Sequence, residues 1–460
     1  MLPDDVLLEM FDFYMVEAIE AYDDLKDQME ASWHTLVHVC RRWRSIVFGS
    51  PHRLNLQLVC TTKTSARDTL DIWPELPLVI EDLNCQKEGL IALLERSELV
   101  RRISRMVLGV DHLEDIPEAL QVPFPELTYL MIHHWDEVSE PIISLSDSFL
   151  GGSAPRLQFF DLENILFPGL PRLLLSATHL TDLHFEDIPH SGYISPEVMV
   201  TCLSLLTSLG GLTLEFRSPQ SRPDRESRRS SPLKRTVLPV FSRFWFKGVS
   251  EYLEALAARI DAPQLNLLDI TFFNDTVFDT PQFTRLISDT PAFVAFDEAN
   301  VAFGECHARI KLTSDYGELE MKISCRDLDW QVSFLEQVCT SSLPPVSVLE
   351  DLYIYEHSIL PRVWEDNIDN ALWLELLGPF TAVKDLFLSD TIAPRVVPAL
   401  QELVGGRMTE VLPTLQNVFL GEVHSSGPVQ EGIGKFIAAR QLTSHPIVVS
   451  RWEPLDRDSW

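Results

Sequence analysis

The sequence predicts an α/β protein in which a small helical module at the N-terminus precedes a long array of strand and helix units. Three observations indicate this fold class. The chain opens with an unusually apolar helix, one short apolar pattern recurs between residues 127 and 420, and segments of helical character separate its copies. Because a single strand–helix unit cannot cover its own apolar residues, such units must stack on one another.

The opening helix is predicted from residues 2–14, LPDDVLLEMFDFY. Pro3 suits the first helical turn, and Asp4 and Asp5 stabilise the positive end of the helix dipole. On a helical wheel the apolar residues cover roughly 220°, whereas a surface helix needs only about 100° to pack on one partner. From physics alone, the surplus face docks either on the rest of this chain or on a second protein.

A second helix is predicted to begin near Trp33 and to end near Gly49 and Pro51. Charge changes sharply before it: residues 1–32 hold ten acidic residues and one basic residue, whereas residues 33–53 hold four arginines and no acid. The helix would present one apolar face. That face consists of Trp33, Leu36, Val37, Val39, Cys40 and Trp43.

The motifs in residues 2–53 resemble an F-box. L-P-x-x-V-L-L-x-M-F is followed by W-x-x-L-V-x-V-C-R-x-W-R and a closing S-P. The resemblance implies docking onto the adaptor subunit of an SCF-type cullin ubiquitin ligase. It implies that the positions contacting the adaptor, or supporting that surface, are Leu2, Pro3, Val6, Leu7, Leu8, Phe11, Val37, Val39, Cys40 and Trp43.

With U for an apolar residue, the pattern U-x-x-U-x-U begins at residues 127, 157, 180, 209, 265, 349, 383 and 415. Each copy predicts a β-strand, and stretches such as SPEVMVTCLSLLTSL predict helices. Three weaker copies lie at 103–108, 293–298 and 318–323. One strand and one helix per 23 to 34 residues is typical of a leucine-rich-repeat solenoid. The alternative is an ordinary α/β domain in which similar buried strands recur by chance.

The chain as a whole resembles fungal, basidiomycete-type F-box proteins with degenerate leucine-rich repeats. The resemblance implies an F-box followed by an irregular β/α horseshoe. The predicted boundaries are 1–54 for the F-box, 55–98 for a linker and entry to the solenoid, 99–450 for the solenoid with a disordered basic insertion at about 217–236, and 451–460 for a C-terminal tail.

If the apolar positions face the core, the third, fifth and seventh positions of each unit lie on the concave face. In nine units, nine of these 27 positions are acidic and one is basic, although acids make up only 68 of 460 residues. Six are aromatic, a combination that suits recognition of a basic protein segment. Alternatively, a chain with a net charge of −31 carries acids on every solvated face. The candidate target-binding residues are Tyr129, Phe159, Asp161, Asp182, Glu186, Asp269, Asp351, Tyr353, Tyr355, Asp385, Phe387 and Phe419.

The basic insertion contains a candidate phosphorylation site. Ser231 follows two arginines and precedes Pro232, so both basic-directed and proline-directed kinases would accept it. A phosphate would remove positive charge from a loop beside an acidic solenoid. The alternative is a solvated insertion without a regulatory role.

Composition and motifs disfavour several other functions. The pI near 4.7 disfavours binding to nucleic acid or anionic membranes, and the absence of a basic leader and of long apolar segments predicts a cytoplasmic or nuclear protein. The sequence contains no catalytic, metal-binding or cofactor-binding motif. We therefore expect a non-catalytic substrate receptor of a ubiquitin ligase, with the adaptor, a cullin and a target protein as partners and no cofactor. The alternatives are a non-degradative interaction scaffold and an enzyme whose site these motifs do not reveal.

Overall fold

The structure is a computed structural model of the 460-residue chain. It divides into two compact units, Met1–Gly192 and Tyr193–Trp460, and each is described by itself. The structure describes all residues except 1, 21–32, 34, 52, 61–74, 82–86, 110–112, 114–115, 117, 134–142, 221–234, 274–279, 342, 345, 358–368, 404–406, 408, 422–427, 443–445 and 453–460.

The first unit begins with helices α1 (Asp4–Glu20) and α2 (Arg41–Gly49), and residues 35–39 between them are also helical. Cys40 is extended, with φ −159°, and its sulfur accepts a hydrogen bond from the Trp43 backbone N–H at 3.5 Å. Cys40 therefore caps α2, so the prediction of one continuous helix was wrong. The cap turns the chain between the two segments. The buried side chains of these helices are Leu7, Phe11, Trp33, Leu36, Val37, Ile46 and Val47.

The strands of the first unit are β1 (Leu58–Cys60), β2 (Leu78–Glu81), β3 (Ile103–Gly109), β4 (Tyr129–His133), β5 (Ile143–Ser144), β6 (Phe159–Glu163), β7 (Ile165–Leu166) and β8 (Asp182–Ile188). Strands β1, β2, β3, β4, β6 and β8 lie side by side in that order, and each adjacent pair is parallel. β5 and β7 form a separate parallel pair. The remaining helices are α3 (Lys87–Leu94), α4 (Ser97–Val100) and α5 (Leu170–Leu174), with 3₁₀ turns at Ala119–Gln121, Phe149–Gly152 and His190–Gly192.

The strands of the second unit are β9 (Gly211–Phe216), β10 (Thr236–Val237), β11 (Arg243–Gly248), β12 (Ile260–Asp261), β13 (Leu267–Phe273), β14 (Glu298–Phe303), β15 (His307–Thr313), β16 (Glu318–Ser324), β17 (Asp351–Glu356), β18 (Asp385–Leu388), β19 (Asn417–Leu420) and β20 (Val448–Arg451). The helices are α6 (Pro196–Leu203), α7 (Ser250–Ala257), α8 (Pro281–Asp289), α9 (Leu328–Ser341), α10 (Asn370–Leu377), α11 (Ala393–Gln401) and α12 (Pro428–Leu442). Two 3₁₀ turns lie at Pro291–Phe293 and Val346–Val348. β10 and β12 form a small parallel pair.

Ten strands of the second unit form one sheet in the order β9-β11-β13-β16-β15-β14-β17-β18-β19-β20. All neighbours in this sheet are parallel except β16/β15 and β15/β14, which are antiparallel. Strands β14, β15 and β16 therefore form an antiparallel meander inserted into a parallel array. The meander lies between the copies that begin at residues 265 and 349, where the sequence offered the weaker copies at 293–298 and 318–323.

The predicted strand register agrees with the observed burial. All three apolar positions of each of the eight regular copies are at most 5% exposed. The weaker copy at 103–108 is also a strand, β3. The strand predicted at 293–298 was wrong: Phe293 and Phe296 are buried, but Phe293 ends the 3₁₀ turn Pro291–Phe293 and the strand begins only at Glu298. In the described part of the chain, no helix has the length and apolar character needed to cross a bilayer.

Candidate binding surfaces

One side of helix α1 is anchored in the first unit. Leu7 and Phe11 are 4% and 2% exposed, and the ring of Phe11 packs on Trp43 with 4.7 Å between ring centroids. Arg42 donates to the carboxylate of Asp4 at 2.5 Å, which ties the start of α1 to α2. The helix therefore has a fixed orientation on its neighbours.

The side of α1 that flanks its buried face is apolar and exposed. Four large side chains at helical spacing are between 41% and 68% exposed, and we call them the N-terminal stripe: Val6, Met10, Phe13 and Tyr14. Leu2 and Val39, exposed by 49% and 55%, are further apolar residues of the same helical region. A stripe of this kind on a helix that is already anchored is typical of a protein-binding surface.

The residues predicted to contact or support an adaptor divide into three groups. Leu2, Pro3, Val6, Val39 and Cys40 are exposed, Leu8 and Trp43 are half-buried, and Leu7, Phe11 and Val37 are buried. The buried three hold the helices in place and do not form a surface.

In both units the strand residues opposite the core form what we call the outward face. In the first unit, this face bears a cleft of about 320 Å³ lined by Glu81, Arg105, Tyr129 and Phe159, among others. The guanidinium of Arg105 lies 3.8 Å from the Tyr129 ring centroid, and that ring stacks on Phe159 at 4.3 Å. Sequence reasoning identified the two aromatic residues but missed the neighbouring Glu81–Arg105 ion pair, whose Oε1 and Nε are 3.7 Å apart.

Asp161 was predicted as an exposed target-binding residue, but it is only 9% exposed. Burial, reinforced by the nearby carboxylates of Glu186 and Glu163, raises the pKa of Asp161 to about 7. Asp182 and Glu186 are half-buried on the neighbouring strand. The charged form of Asp161 therefore destabilises the folded state, and its carboxylate is not exposed for contact with a target.

In the second unit, the outward face of β13, β16 and β15 carries an ion-pair cluster that we call the paired network: Asp269, Arg309, Glu320 and Lys322. Arg309 lies 3.1 Å from Glu320, and Lys322 lies 2.9 Å from Asp269 and 3.3 Å from Glu320. Arg309 also donates to the Tyr355 hydroxyl at 3.1 Å. Burial lowers the pKa of Lys322, but Glu320 and Asp269 outweigh it and the pKa is raised. Asp269 and Tyr355 therefore bind side chains of the protein itself.

A second set of carboxylates, the acidic row, lies on β14, β17 and β18: Glu298, Asp351 and Asp385. Strand register places Glu298 beside Asp351 and Asp351 beside Asp385. Among the described residues, no Lys, Arg or His nitrogen lies within 4.0 Å of these carboxylates. Burial raises the pKa of Asp351, and the negative charges of Asp385, Glu298 and Glu350 raise it further.

Beside the acidic row runs an aromatic row: Tyr353, Phe387 and Phe419. The Tyr353 and Phe387 rings stack at 4.2 Å and 10°, and the Phe387 and Phe419 rings stack at 4.4 Å and 8°. All three are half-buried. Trp452, which follows β20, packs 5.8 Å from Phe387 and 6.0 Å from Tyr353. The outward face here combines negative charge with a continuous aromatic surface.

Two further sequence predictions concern single sites. Ser231 lies outside the described residues. In the described ranges, no group of three or more His, Cys, Asp or Glu side chains has an arrangement that would hold a metal ion. Cys40, Cys202, Cys306, Cys325 and Cys339 are free thiols.

Comparison with known proteins gives similarity to solved structures. No protein-family model matches the chain, and no curated protein matches it. The chain is similar to the crystal structure of the leucine-rich repeat-containing protein LegL7 from Legionella pneumophila, with 11% sequence identity and a TM-score of 0.29. The similarity covers 73% of this chain and 90% of that chain.

Proposed function

We propose that this chain is a non-catalytic protein-interaction subunit, the substrate receptor of an SCF-type cullin ubiquitin ligase. In this proposal the N-terminal helices are an F-box that binds the adaptor, and the strand–helix units are an irregular leucine-rich-repeat solenoid that binds a target through its outward face. The motif order in residues 2–53 and the repeated parallel strands support the proposal.

The N-terminal stripe is the observation that carries it. The helix has already buried Leu7 and Phe11, so Val6, Met10 and Phe13 add nothing to its own packing. Covering a large apolar side chain stabilises a complex by about 1.5–3 kcal/mol before association costs. Such a stripe is explained if a partner covers it, and the F-box resemblance implies the ligase adaptor as that partner.

The mechanism requires positioning and no chemistry by this chain. One surface holds the adaptor, and with it the ligase, while the other holds the target. Holding both on one chain raises the effective concentration of a target lysine near the ubiquitin-conjugating enzyme. The fixed orientation of α1, set by the Phe11–Trp43 contact, would make that placement reproducible.

The test is capture of purified adaptor by the full chain and by the triple variant Val6→Asp, Met10→Asp, Phe13→Asp. Each exposed position tolerates Asp in the free protein, so circular dichroism should show an unchanged fold, whereas binding should fall by at least about 100-fold. Replacing the buried Leu7 and Phe11 instead would unfold the helices and test nothing. The control is Val237→Asp with Val294→Asp, which alters residues 56% and 66% exposed elsewhere.

Adaptor capture by the wild type and the control, with loss in the folded triple variant, supports the proposal. If the wild type does not bind the adaptor, or the triple variant binds as well as the control, the F-box assignment is overturned. Turnover of a bound target in the reconstituted ligase separates a substrate receptor from a non-degradative scaffold.

A further inference from the structure

The cleft of the first unit has a neutral lining on an acidic protein. Its described lining contains one acid, Glu81, and one base, Arg105, on the neighbouring strands β2 and β3, although the chain carries a net charge of −31. Its volume of about 320 Å³ is enough to hold a ligand group. The other lining residues carry amides, hydroxyls or apolar groups: Asn55, Gln57, Val59, Val79, Ser104, Thr128, Tyr129, Gln158, Phe159 and Thr181.

Glu81 and Arg105 do not satisfy each other's hydrogen bonds. Oε1 of Glu81 lies 3.7 Å from Nε of Arg105, which is too long for a hydrogen bond. Glu81 Oε2 and Arg105 Nε are inaccessible, so a ligand can reach only the other polar atoms of the pair. The two side chains are 12% and 34% exposed, and both line the cleft. The cleft therefore offers Glu81 Oε1 as an acceptor and the two Nη groups of Arg105 as donors.

An apolar floor lies beside these two polar groups. Val79 is in register with Arg105 on β3 and with Val59 on β1, and it precedes Glu81 by two residues on the same face of β2. Val59 and Val79 are 6% and 3% exposed. Adjacent strands are about 4.8 Å apart, and residues two apart on one strand are separated by about 6.6 Å. A short apolar stem above Val79 would therefore bring its end group within reach of both Glu81 and Arg105.

The opposite charges of the pair select a neutral end group. Arg105 repels an ammonium or a guanidinium, and Glu81 repels a carboxylate or a phosphate. A neutral group that has both an acceptor and a donor can hydrogen-bond to Arg105 and to Glu81 at the same time. A primary carboxamide, the end group of glutamine and asparagine, has this combination, because it carries a carbonyl oxygen and an NH₂ on one carbon.

The rim of the cleft provides further neutral hydrogen-bonding groups. The hydroxyls of Ser104, Thr128 and Thr181 each donate to a backbone carbonyl at 2.9 to 3.2 Å, so they can act only as acceptors towards a ligand. The exposed amide of Gln158 adds both a donor and an acceptor. These groups suit the peptide units on either side of a bound side chain.

We propose that this cleft binds the carboxamide of a glutamine side chain of the target. The carbonyl oxygen accepts from Arg105, the NH₂ donates to Glu81, and the methylene stem packs on Val79. Tyr129, whose ring centroid lies 3.8 Å from the guanidinium, stacks on Phe159 and holds Arg105 in place. This inference rests on the proposed function, because it takes the outward face as the target-binding surface and assigns the class of side chain that this cleft selects.

The test is saturation-transfer NMR of the full chain with N-acetyl-L-glutamine methylamide as the probe, titrated to obtain its dissociation constant. Two matched probes change only the end of the side chain: the glutamate derivative carries a carboxylate, and the methionine derivative carries an apolar thioether. The glutamine probe should bind at least about 10-fold more tightly than either. Glu81 repels the first matched probe, and the second leaves both polar groups of the cleft without a partner.

Protein variants locate the site and change its preference. Glu81→Gln keeps the shape of the side chain but leaves Arg105 as the charge of the cleft. It should weaken the glutamine probe about 5-fold and strengthen the glutamate probe about 5-fold, an exchange that a merely structural defect would not produce. The matched control, Glu98→Gln, breaks an exposed ion pair with Arg96 outside the cleft and should change either affinity by less than about 2-fold.

A variant at the exposed rim keeps the inference testable if Glu81→Gln does not fold. Gln158 is exposed, so Gln158→Ala should preserve the circular dichroism spectrum. It removes one hydrogen-bonding group from the rim and should weaken the glutamine probe about 3-fold.

Absence of glutamine-probe binding overturns the inference, and so does equal binding of the glutamate or the methionine probe. A folded Glu81→Gln variant that behaves like the control also overturns it, as does unchanged binding in Gln158→Ala if Glu81→Gln does not fold. Adaptor capture is measured on the same proteins. Its retention alongside failed probe binding would reject this site alone, whereas its failure in the wild type would reject the ligase proposal.

Discussion

Two sets of carboxylates occupy equivalent outward positions in the second unit, and they differ in what lies on the neighbouring strands. Glu320 in the paired network faces Arg309 and Lys322, whereas Asp351 in the acidic row faces other carboxylates. The difference arises from topology. The meander brings β15, with a base at alternate outward positions, next to β16, whereas β17 and β18 have no such neighbour. Carboxylates thus stabilise the folded state in the paired network and destabilise it in the acidic row.

The largest effect should come from breaking the paired network with Arg309→Met. The side chains of Arg309 and Glu320 are only 12% and 7% exposed, so removing Arg309 leaves the buried Glu320 with Lys322, at 3.3 Å, as its remaining cation and takes a donor from the Tyr355 hydroxyl. We expect a loss of about 3–4 kcal/mol in the free energy of unfolding, measured by urea denaturation. The control, Lys311→Met, removes a more exposed pair with Glu318 and should cost less than about 1 kcal/mol. Equal costs would show that burial of the pair does not matter.

The second-largest effect concerns Asp161, a buried acid of the first unit whose neighbours are carboxylates, in contrast to Glu320. Asp161 has a pKa of about 7 in the folded protein against 3.8 ordinarily, so the folded state holds an extra proton between those values. Stability should therefore fall as pH rises from about 4 to about 7. Asp161→Asn removes that cost and should stabilise by about 2–3 kcal/mol above pH 7 and by little near pH 4, measured as the thermal midpoint at each pH.

Asp147→Asn removes an exposed charge from the same unit and provides the control. It should change the thermal midpoint little at any pH. A stability difference between wild type and Asp161→Asn that does not depend on pH would contradict the electrostatic explanation.

A smaller effect, opposite in sign to that of Arg309→Met, is expected in the acidic row. Asp351→Asn should stabilise by about 0.5–1 kcal/mol at neutral pH, because it removes like-charge repulsion across adjacent strands. Since the folded pKa of Asp351 is raised, the gain should disappear in acid, where the wild-type carboxyl is protonated. Urea denaturation at two pH values measures this change in the free energy of unfolding. If Asp351→Asn destabilised the protein at neutral pH, the Asp351 carboxylate would be making a favourable interaction rather than a repulsive one.

The smallest effect concerns salt. Raising the ionic strength should stabilise the wild type by a few tenths of a kcal/mol, because repulsion within the half-exposed acidic row is screened. The double variant Asp351→Asn, Asp385→Asn should respond less. Thermal midpoints across a salt series measure both responses. If the two proteins responded identically, the repulsion that salt screens would not come from Asp351 and Asp385.

Much of the fold was predictable because strand burial has a period of two residues. Leu127, Leu130 and Ile132 show this, since each is fully buried as the pattern requires. The meander was not predictable, because β15 alternates basic and apolar residues and does not fit the repeat. Cys40 likewise interrupts an apolar face that is continuous on a helical wheel, and a thiol is an uncommon helix cap.

The candidate sites show the same limit. Tyr353, Phe387 and Asp385 were predicted to share one face because each has the same place in its repeat, and the structure places them there. The pairing of Arg309 with Glu320, and that of Lys247 with Glu215 at 3.6 Å, were missed because strands β15 and β11 were not identified. Which cation faces which acid depends on the strand order of the sheet, and period alone does not specify that order.

The meander also bears on how the second unit folds. Its own turns join residues close in the chain, as in the pairing of Phe303 with Ala308, and such hairpins form within microseconds. Its two flanking pairings, Leu267 with Glu318 and Glu298 with Asp351, each close a loop of about 50 residues. These loops are longer than the 23 to 34 residues between neighbouring repeats, so pairing across the meander costs about 0.5 kcal/mol more in loop-closure entropy for each flank. We therefore expect pairing at the meander to be slower than pairing between neighbouring repeats.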